Sequence, residues 1–221
     1  MTPTDFQRWL NTKGANLTVD GQLGPASRAA REKVFSNTCA DGTDDADLVK
    51  FAQRLGCTVK QLKAVALVES GGSGFDTKGR PKILFERHLF HRFTNGKYSV
   101  TGCSNPTGGG YKEDSWSKLD QACVFSPFKA FEAVSWGKFQ VLGMWWDELG
   151  YASPIEMAYS TVASEDAHFE MLIRYIGMNN MEDEVRALST DASTNRAFAK
   201  GYNGPNYTKF NYHVKLAKAM Q

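Results

Sequence analysis

The chain has 221 residues, a formal net charge of +2 and 42% hydrophobic residues, enough for one large domain or a domain with a small module. Its basic residues form no run, which argues against a nucleic-acid partner, and no span approaches the roughly 20 apolar residues of a membrane helix. Residues 1–20 carry Asp5, Arg8, Lys13 and Asp20 among short apolar pieces, so a secretory signal is not expected and synthesis in the cytoplasm is.

Thr4 and Asp5 can cap a helix from Phe6 to Leu10, with Phe6, Trp9 and Leu10 on one apolar face. Thr18 to Ser27 then packs a DG turn and a GP break into a short stretch, and a second amphipathic helix follows through Ala30, Val34 and Phe35. This piece resembles the peptidoglycan-binding domain found at the ends of many cell-wall hydrolases. The resemblance rests on Phe6-Gln7-Arg8-Trp9-Leu10, on Val19-Asp20-Gly21-Gln22-Leu23-Gly24-Pro25, and on Arg28-Ala29-Ala30 through Phe35. Ser27 stands where that family usually has Thr. The resemblance implies a wall-binding module over residues 1–42, while a plain helical hairpin capping the next domain accounts for the same turn chemistry.

Asn37 to Asp47 is polar and Asp-rich and reads as a linker ending in a helix cap, followed by a helix from Ala46 to Leu55. Thr58 caps the next helix, which runs to Glu69 and meets the glycine stop Gly71-Gly72. At helical spacing Leu62, Val65, Ala66 and Glu69 share one stripe, so the carboxylate faces the apolar side. Burial and the negative end of the helix dipole both disfavour its charged form. A carboxyl kept protonated near neutral pH can give a proton to a leaving group, so Glu69 is a candidate general acid; a glutamate at a frayed helix end is the plain alternative.

Ile83-Leu84-Phe85 reads as a strand entering a helix or as part of a buried helix. Glu86 and Arg87 sit in that apolar company, where a Glu–Arg network and a place in an active site are both open. Thr94 to Ser117 is a Gly-, Asn- and Ser-rich excursion of the kind that frames a groove. Ala130 to Gly143 reads as two helices joined at a Ser135-Trp136-Gly137 corner, with Gln140 offering a donor and an acceptor to a ligand. Helices are expected over Met144 to Leu149, Ile155 to Gly177, Met181 to Leu188 and Tyr212 to Met220, and another ends at Tyr202-Asn203-Gly204-Pro205. Cys39, Cys57, Cys103 and Cys123 show no CxxC pair and the histidines no HxxxH spacing, so buried free thiols and no metal or cofactor are expected. His88 and His91, one turn apart, suit packing or hydrogen bonding better than a metal.

Three separated motifs carry a second resemblance: Val68-Glu69-Ser70-Gly71-Gly72, Ser135-Trp136-Gly137-Lys138-Phe139-Gln140, and Gly201-Tyr202-Asn203-Gly204-Pro205. They resemble the lysozyme superfamily. From about Asp45 onward the chain is similar to the N-acetylmuramidase domain of bacteriophage endolysins, including Ile83-Leu84-Phe85-Glu86-Arg87-His88-x-Phe90. The resemblance implies a mostly α, lysozyme-like catalytic domain over residues 43–221 that cleaves the bond between N-acetylmuramic acid and N-acetylglucosamine in peptidoglycan. It makes Glu69 the general acid and Ser135, Gln140, Tyr202 and Asn203 the substrate contacts. Glycosidases usually pair two carboxylates. Glu86 is the candidate second acid or water-positioning group, with Glu113, Asp114 and Asp120 behind it. If none serves, a water held by polar side chains is left to attack the oxocarbenium-like centre, or attack by the substrate's own hydroxyl gives a lytic transglycosylase; loss of catalysis altogether gives a peptidoglycan-binding protein. Further expectations are a monomer, no membrane insertion, and release to the wall through a pore made by another protein.

Overall fold

The capping residues written into the sequence set where most of the helices begin. In the computed structural model, which describes residues 1–70, 72–98 and 102–221, α1 (Pro3–Thr12) starts at Thr2. The Thr2 hydroxyl accepts from the Asp5 amide at 3.2 Å and Asp5 accepts from the Thr2 amide at 2.9 Å. This reciprocal pair makes Thr2 the cap in place of Thr4 or Asp5, and starts the helix ahead of Phe6. α2 (Pro25–Val34) opens with proline at its first position. α3 (Asp45–Leu55) is capped by Asp44 and closes at Gly56 with φ +65°. α4 (Val59–Glu69) opens with a Thr58–Gln61 capping box and gives way to extended backbone at Ser70. Gly71 of the expected glycine stop and Thr101 of the long excursion lie outside the described residues.

The region after α4 contains the small sheet that the sequence did not announce. β1 (Ile83–Phe85) leads into α5 (Arg87–Phe93), which decides between the two readings of that segment. β2 (Val134–Trp136) and β3 (Val141–Leu142) complete an antiparallel sheet in the order β1-β2-β3, with Leu84 opposite Ser135 and Ser135 opposite Leu142. The Ser135-Trp136-Gly137 corner is therefore a hairpin turn and not a junction of two helices. Gly137 at φ +70° and Gln140 at φ +51° reverse the chain, and the Gly137 amide donates to Lys82 O at 2.8 Å, extending the ladder beyond β1. Strands of two and three residues are too short to show a period of two.

The remaining helices are α6 (Ser115–Phe125), α7 (Pro127–Glu132), α8 (Pro154–Ser160), α9 (Glu165–Met178), α10 (Glu182–Arg186), α11 (Arg196–Asn203) and α12 (Tyr212–Ala219). The helix expected over Met144 to Leu149 reduces to a 3-10 turn at Gly143–Trp145. Gly143 packs so tightly there that a Cβ would lie 2.1 Å from Phe131 O.

The chain divides into two compact units. One comprises Met1–Ala40 and Phe75–Ala163, the other Asp41–Gly74 and Ser164–Gln221. Within the first unit the N-terminal hairpin buries its aromatic residues among those of the later segment. Phe6 meets Phe131 with centroids 5.6 Å apart, and Phe35 lies 5.7 Å from Trp116, 5.6 Å from Phe131 and 6.1 Å from Trp136. Buried Arg31 closes the seam with a two-point hydrogen bond to Asp120 at 2.9 and 2.6 Å. Forty residues give too little apolar surface for an independent core, so the hairpin borrows one.

The second unit is helical. Leu48, Leu55, Leu62 and Val65 of α3 and α4 are buried, as are Phe169, Leu172 and Leu216 of α9 and α12. Buried Gln61 donates to the carbonyls of Leu188 at 3.1 Å and Arg186 at 2.5 Å, tying the start of α4 to the end of α10. Cys103 and Cys123 are buried, but Cys57 is half-buried and Cys39 exposed, so the expectation of buried thiols holds for two of the four. Among the described residues no helix is long and apolar enough to cross a membrane.

Candidate active site

α4 carries Glu69 to the edge of the second unit. Leu62 and Val65 are fully buried while Lys63 and Leu67 face solvent, so the stripe that ends in Glu69 is the buried one. Glu69 itself is half-buried at the last helical position, and the Asn203 Nδ2 donates to its Oε1 at 2.9 Å. Asn203 is the last residue of α11, so two helix C-termini meet at this contact. Both present the negative end of their dipoles to the carboxyl.

Burial pushes the Glu69 carboxyl up from its ordinary value to about 7, with the Asn203 hydrogen bond and the Lys215 ammonium pulling the other way. Near neutrality the group is therefore shared between its protonated and ionised forms. Because Oε1 accepts from the Asn203 amide, Oε2 is the oxygen left to carry the acid proton.

Tyr202 stands next to Asn203 and packs its ring on Phe198 and Tyr175, with both centroid separations 5.5 Å. Burial, then the charge of Glu69, hold that phenol well above its ordinary range. Tyr212, the first residue of α12, is raised by burial and then by Glu69 in the same way. Lys215 lies on the same face of α12, its ammonium 5.1 Å over the Tyr212 ring. Sequence reasoning placed Glu69, Tyr202 and Asn203 but missed Tyr175, Tyr212 and Lys215. The three-residue spacing of Tyr212 and Lys215 was a legible signal of a shared face, but the pairing of α12 with α4 was not.

Ser135, Gln140 and Glu86 belong to the first unit. Ser135 is half-buried in the middle of β2. Gln140 is exposed, and its Nε2 donates to Gly137 O at 2.7 Å and Lys82 O at 3.4 Å, so the amide nitrogen holds its own turn and Oε1 remains as the acceptor. Glu86 sits at the start of α5, with its amide donating to Ala133 O at 2.8 Å. Its Oε2 accepts from the Tyr111 hydroxyl at 3.0 Å and lies 3.2 Å from His88 Nδ1. The Glu86–Arg87 network open from the sequence is not formed, because Arg87 turns to the carbonyls of Thr107 at 3.0 Å and Gly108 at 3.1 Å.

The other candidate carboxylates are structural. Asp114 caps α6, Glu113 pairs with Lys118 at 3.1 Å, and Asp120 holds Arg31. His91 Nδ1 lies 3.2 Å from Ser104 Oγ, the hydrogen-bonding role expected for it. Among the described residues no cluster of three or more His, Cys, Asp or Glu is placed to hold a metal ion.

A helix-end carboxyl with a pKa near 7, oriented through one oxygen by an amide, suits proton delivery to a leaving oxygen. No curated protein matches the chain. Among solved structures it is similar to the crystal structure of Burkholderia AP3 phage endolysin, with 30% sequence identity and a TM-score of 0.74 over 98% of this chain and 92% of that one. The N-acetylmuramidase family model matches residues 58–221, a span that holds Glu69, Asn203 and every other candidate residue named above, and the chain belongs to that family of glycoside hydrolases.

Proposed function

We propose that this protein is a phage endolysin that hydrolyses the β-1,4 bond between N-acetylmuramic acid and N-acetylglucosamine in peptidoglycan, with Glu69 as its general acid. The observation that carries this reading is the Glu69 environment, a half-buried carboxyl at the meeting of two helix ends with Asn203 on one oxygen. Oε2–H gives its proton to the glycosidic oxygen as the bond to the muramic acid C1 breaks, and the sugar becomes oxocarbenium-like. Water attacks that carbon, a base takes the proton of the water, and Glu69 is reprotonated for the next turnover. Glu86 is read as the carboxylate for the base or water-holding role. Tyr202 and Asn203 beside the acid, and Ser135 and Gln140 on the hairpin, are read as sugar contacts.

The N-terminal hairpin is proposed to bind the wall as a part of the first unit. Release from the cytoplasm through a pore formed by another protein follows from the endolysin reading. The test compares the wild-type protein with Glu69→Gln on outer-membrane-permeabilised cells and on purified peptidoglycan. Wild-type clearing with reducing ends on the muramic acid is expected, and no clearing by the variant. Retained clearing by Glu69→Gln overturns the acid assignment, and 1,6-anhydro ends in the mass spectra overturn hydrolysis in favour of transglycosylation.

A further inference from the structure

A cavity of about 870 Å³ opens in the first unit, and none of the candidate catalytic residues lines it. Its walls come from two distant stretches, residues 13–37 of the N-terminal hairpin and residues 159–163 at the end of α8 and just beyond it. The volume lies in the upper part of the range of ligand pockets, roughly 300–1,000 Å³, and suits an oligomeric ligand better than a single monosaccharide. The α2 wall presents Ala26, Ala29 and Ala30, small methyl-bearing residues that leave room for backbone to approach.

The charges on the walls are of one sign. Lys13 and Lys33 line the cavity and no acidic residue does. Lys13 is partly engaged, with Glu156 at 3.5 Å and the Tyr159 ring 4.4 Å beneath its ammonium. Lys33 is exposed in the last turn of α2 and makes no ion pair among the described residues. It is the cation left to meet a ligand.

A glycan is disfavoured by the aromatic content. Sugars stack on an open ring face, and Tyr159 is the aromatic residue in the lining. The Lys13 ammonium lies over that ring, and Trp9 and Phe35 contact it at 5.4 and 5.9 Å with interplanar angles of 87° and 82°. Methyl-lined walls with one-sign charge instead match a short, extended, anionic peptide of small side chains.

We propose that this cavity binds the peptide stems of peptidoglycan, recognising their carboxylates through Lys33 and their alanine methyls through the α2 wall. The inference rests on the reading that the chain acts on peptidoglycan, and it places the wall contact of the N-terminal hairpin on a surface that the hairpin completes only together with residues 159–163. Peptide-bearing strands would thereby be retained by the first unit independently of the groups that cleave the glycan.

The test titrates a synthetic tetrapeptide of alanine, glutamate and diaminopimelate into the full-length protein, followed by amide chemical shifts, with chitotetraose as the glycan control. Shifts confined to residues 13–37 and 159–163 are expected for the tetrapeptide. Lys33→Glu should weaken binding about tenfold at low salt and remove most of the weakening by salt seen with the wild type. Ala29→Trp, an exposed residue that fills the cavity, should abolish it, and both variants should keep wild-type turnover of peptidoglycan glycan strands freed of their stem peptides. No shifts with the tetrapeptide, equal binding by both variants, or chitotetraose shifts at these residues overturn the proposal. Tetrapeptide binding by a protein that fails to release fragments from peptidoglycan would instead overturn the proposed activity and leave this site standing.

Discussion

Glu69 stands at the C-terminal end of α4 in one unit and Glu86 at the N-terminal end of α5 in the other, and each has tyrosines near it. At Glu69 burial disfavours the negative charge, and the pKa climbs to about 7. At Glu86 the helix dipole is reversed, the Tyr111 hydroxyl donates to the carboxylate, and His88 lies alongside. The burial of Tyr111, and then the hydrogen bond to Glu86 and its charge, push that phenol up, which keeps it a donor. The difference teaches that what surrounds a carboxyl, and not the residue type, decides its use: desolvation suits Glu69 to giving a proton, and the Tyr111 hydroxyl engages Glu86 as a hydrogen-bond acceptor.

Exchanging each carboxyl for its amide breaks or sharpens that contrast. Glu69→Gln keeps the shape and removes the proton, so kcat should fall about 10²–10⁴-fold, measured as release of reducing ends. A smaller loss than for Glu86→Gln would reverse the roles assigned to the two groups.

The two units also differ in what holds them. Phe35→Ala removes the ring at the centre of the aromatic cluster and should cost about 3–5 kcal/mol in urea unfolding. For the same reason, deleting residues 1–40 should yield an aggregating fragment, whereas a free-standing binding module would leave a folded enzyme. In the second unit, Glu170 is held at about 2, chiefly by its hydrogen bond to Arg54 and then by Arg174. A depressed carboxyl stabilises above its unfolded value of 4.5 and loses that contribution as pH falls toward 2.

Glu69 works in the opposite sense. Its folded pKa lies above its unfolded one, so its contribution is intact below pH 4.5 and is lost as pH rises to about 7. Glu69→Gln should therefore be more stable than wild type by up to roughly 3 kcal/mol above pH 7 and equal to it near pH 4, measured as urea midpoints across that range. Glu170→Gln, on a partly exposed network, should lose only about 1–2 kcal/mol at pH 7 and nothing near pH 2.

The smallest effect concerns Asn203. Its hydrogen bond lowers the Glu69 pKa, so Asn203→Ala should move the alkaline limb of the activity profile from about 7 to higher pH. An unmoved limb with reduced activity would make Asn203 a sugar contact only.

Much of this was legible in the chain. Thr58 and Gln61 fix the start of α4, and the spacing of Leu62, Val65 and Glu69 puts the acid on the buried face, because a helix repeats within a few residues and carries its own hydrogen bonds. The hairpin at Ser135 was not legible, since strands of two or three residues exist only through partners such as Leu84, far away in sequence. The same holds for Asp120, which looked free until Arg31 reached it, and for the N-terminal hairpin, whose turn chemistry is local but whose core is borrowed. The sequence by itself determined the helix that ends in Glu69, the buried stripe on which that carboxyl lies, and the amide at the end of α11. Only the tertiary structure decided that Asn203, Lys215 and Tyr212 surround that acid, because the desolvation and the charges that set a pKa come from side chains brought together by packing and not by the order of the chain.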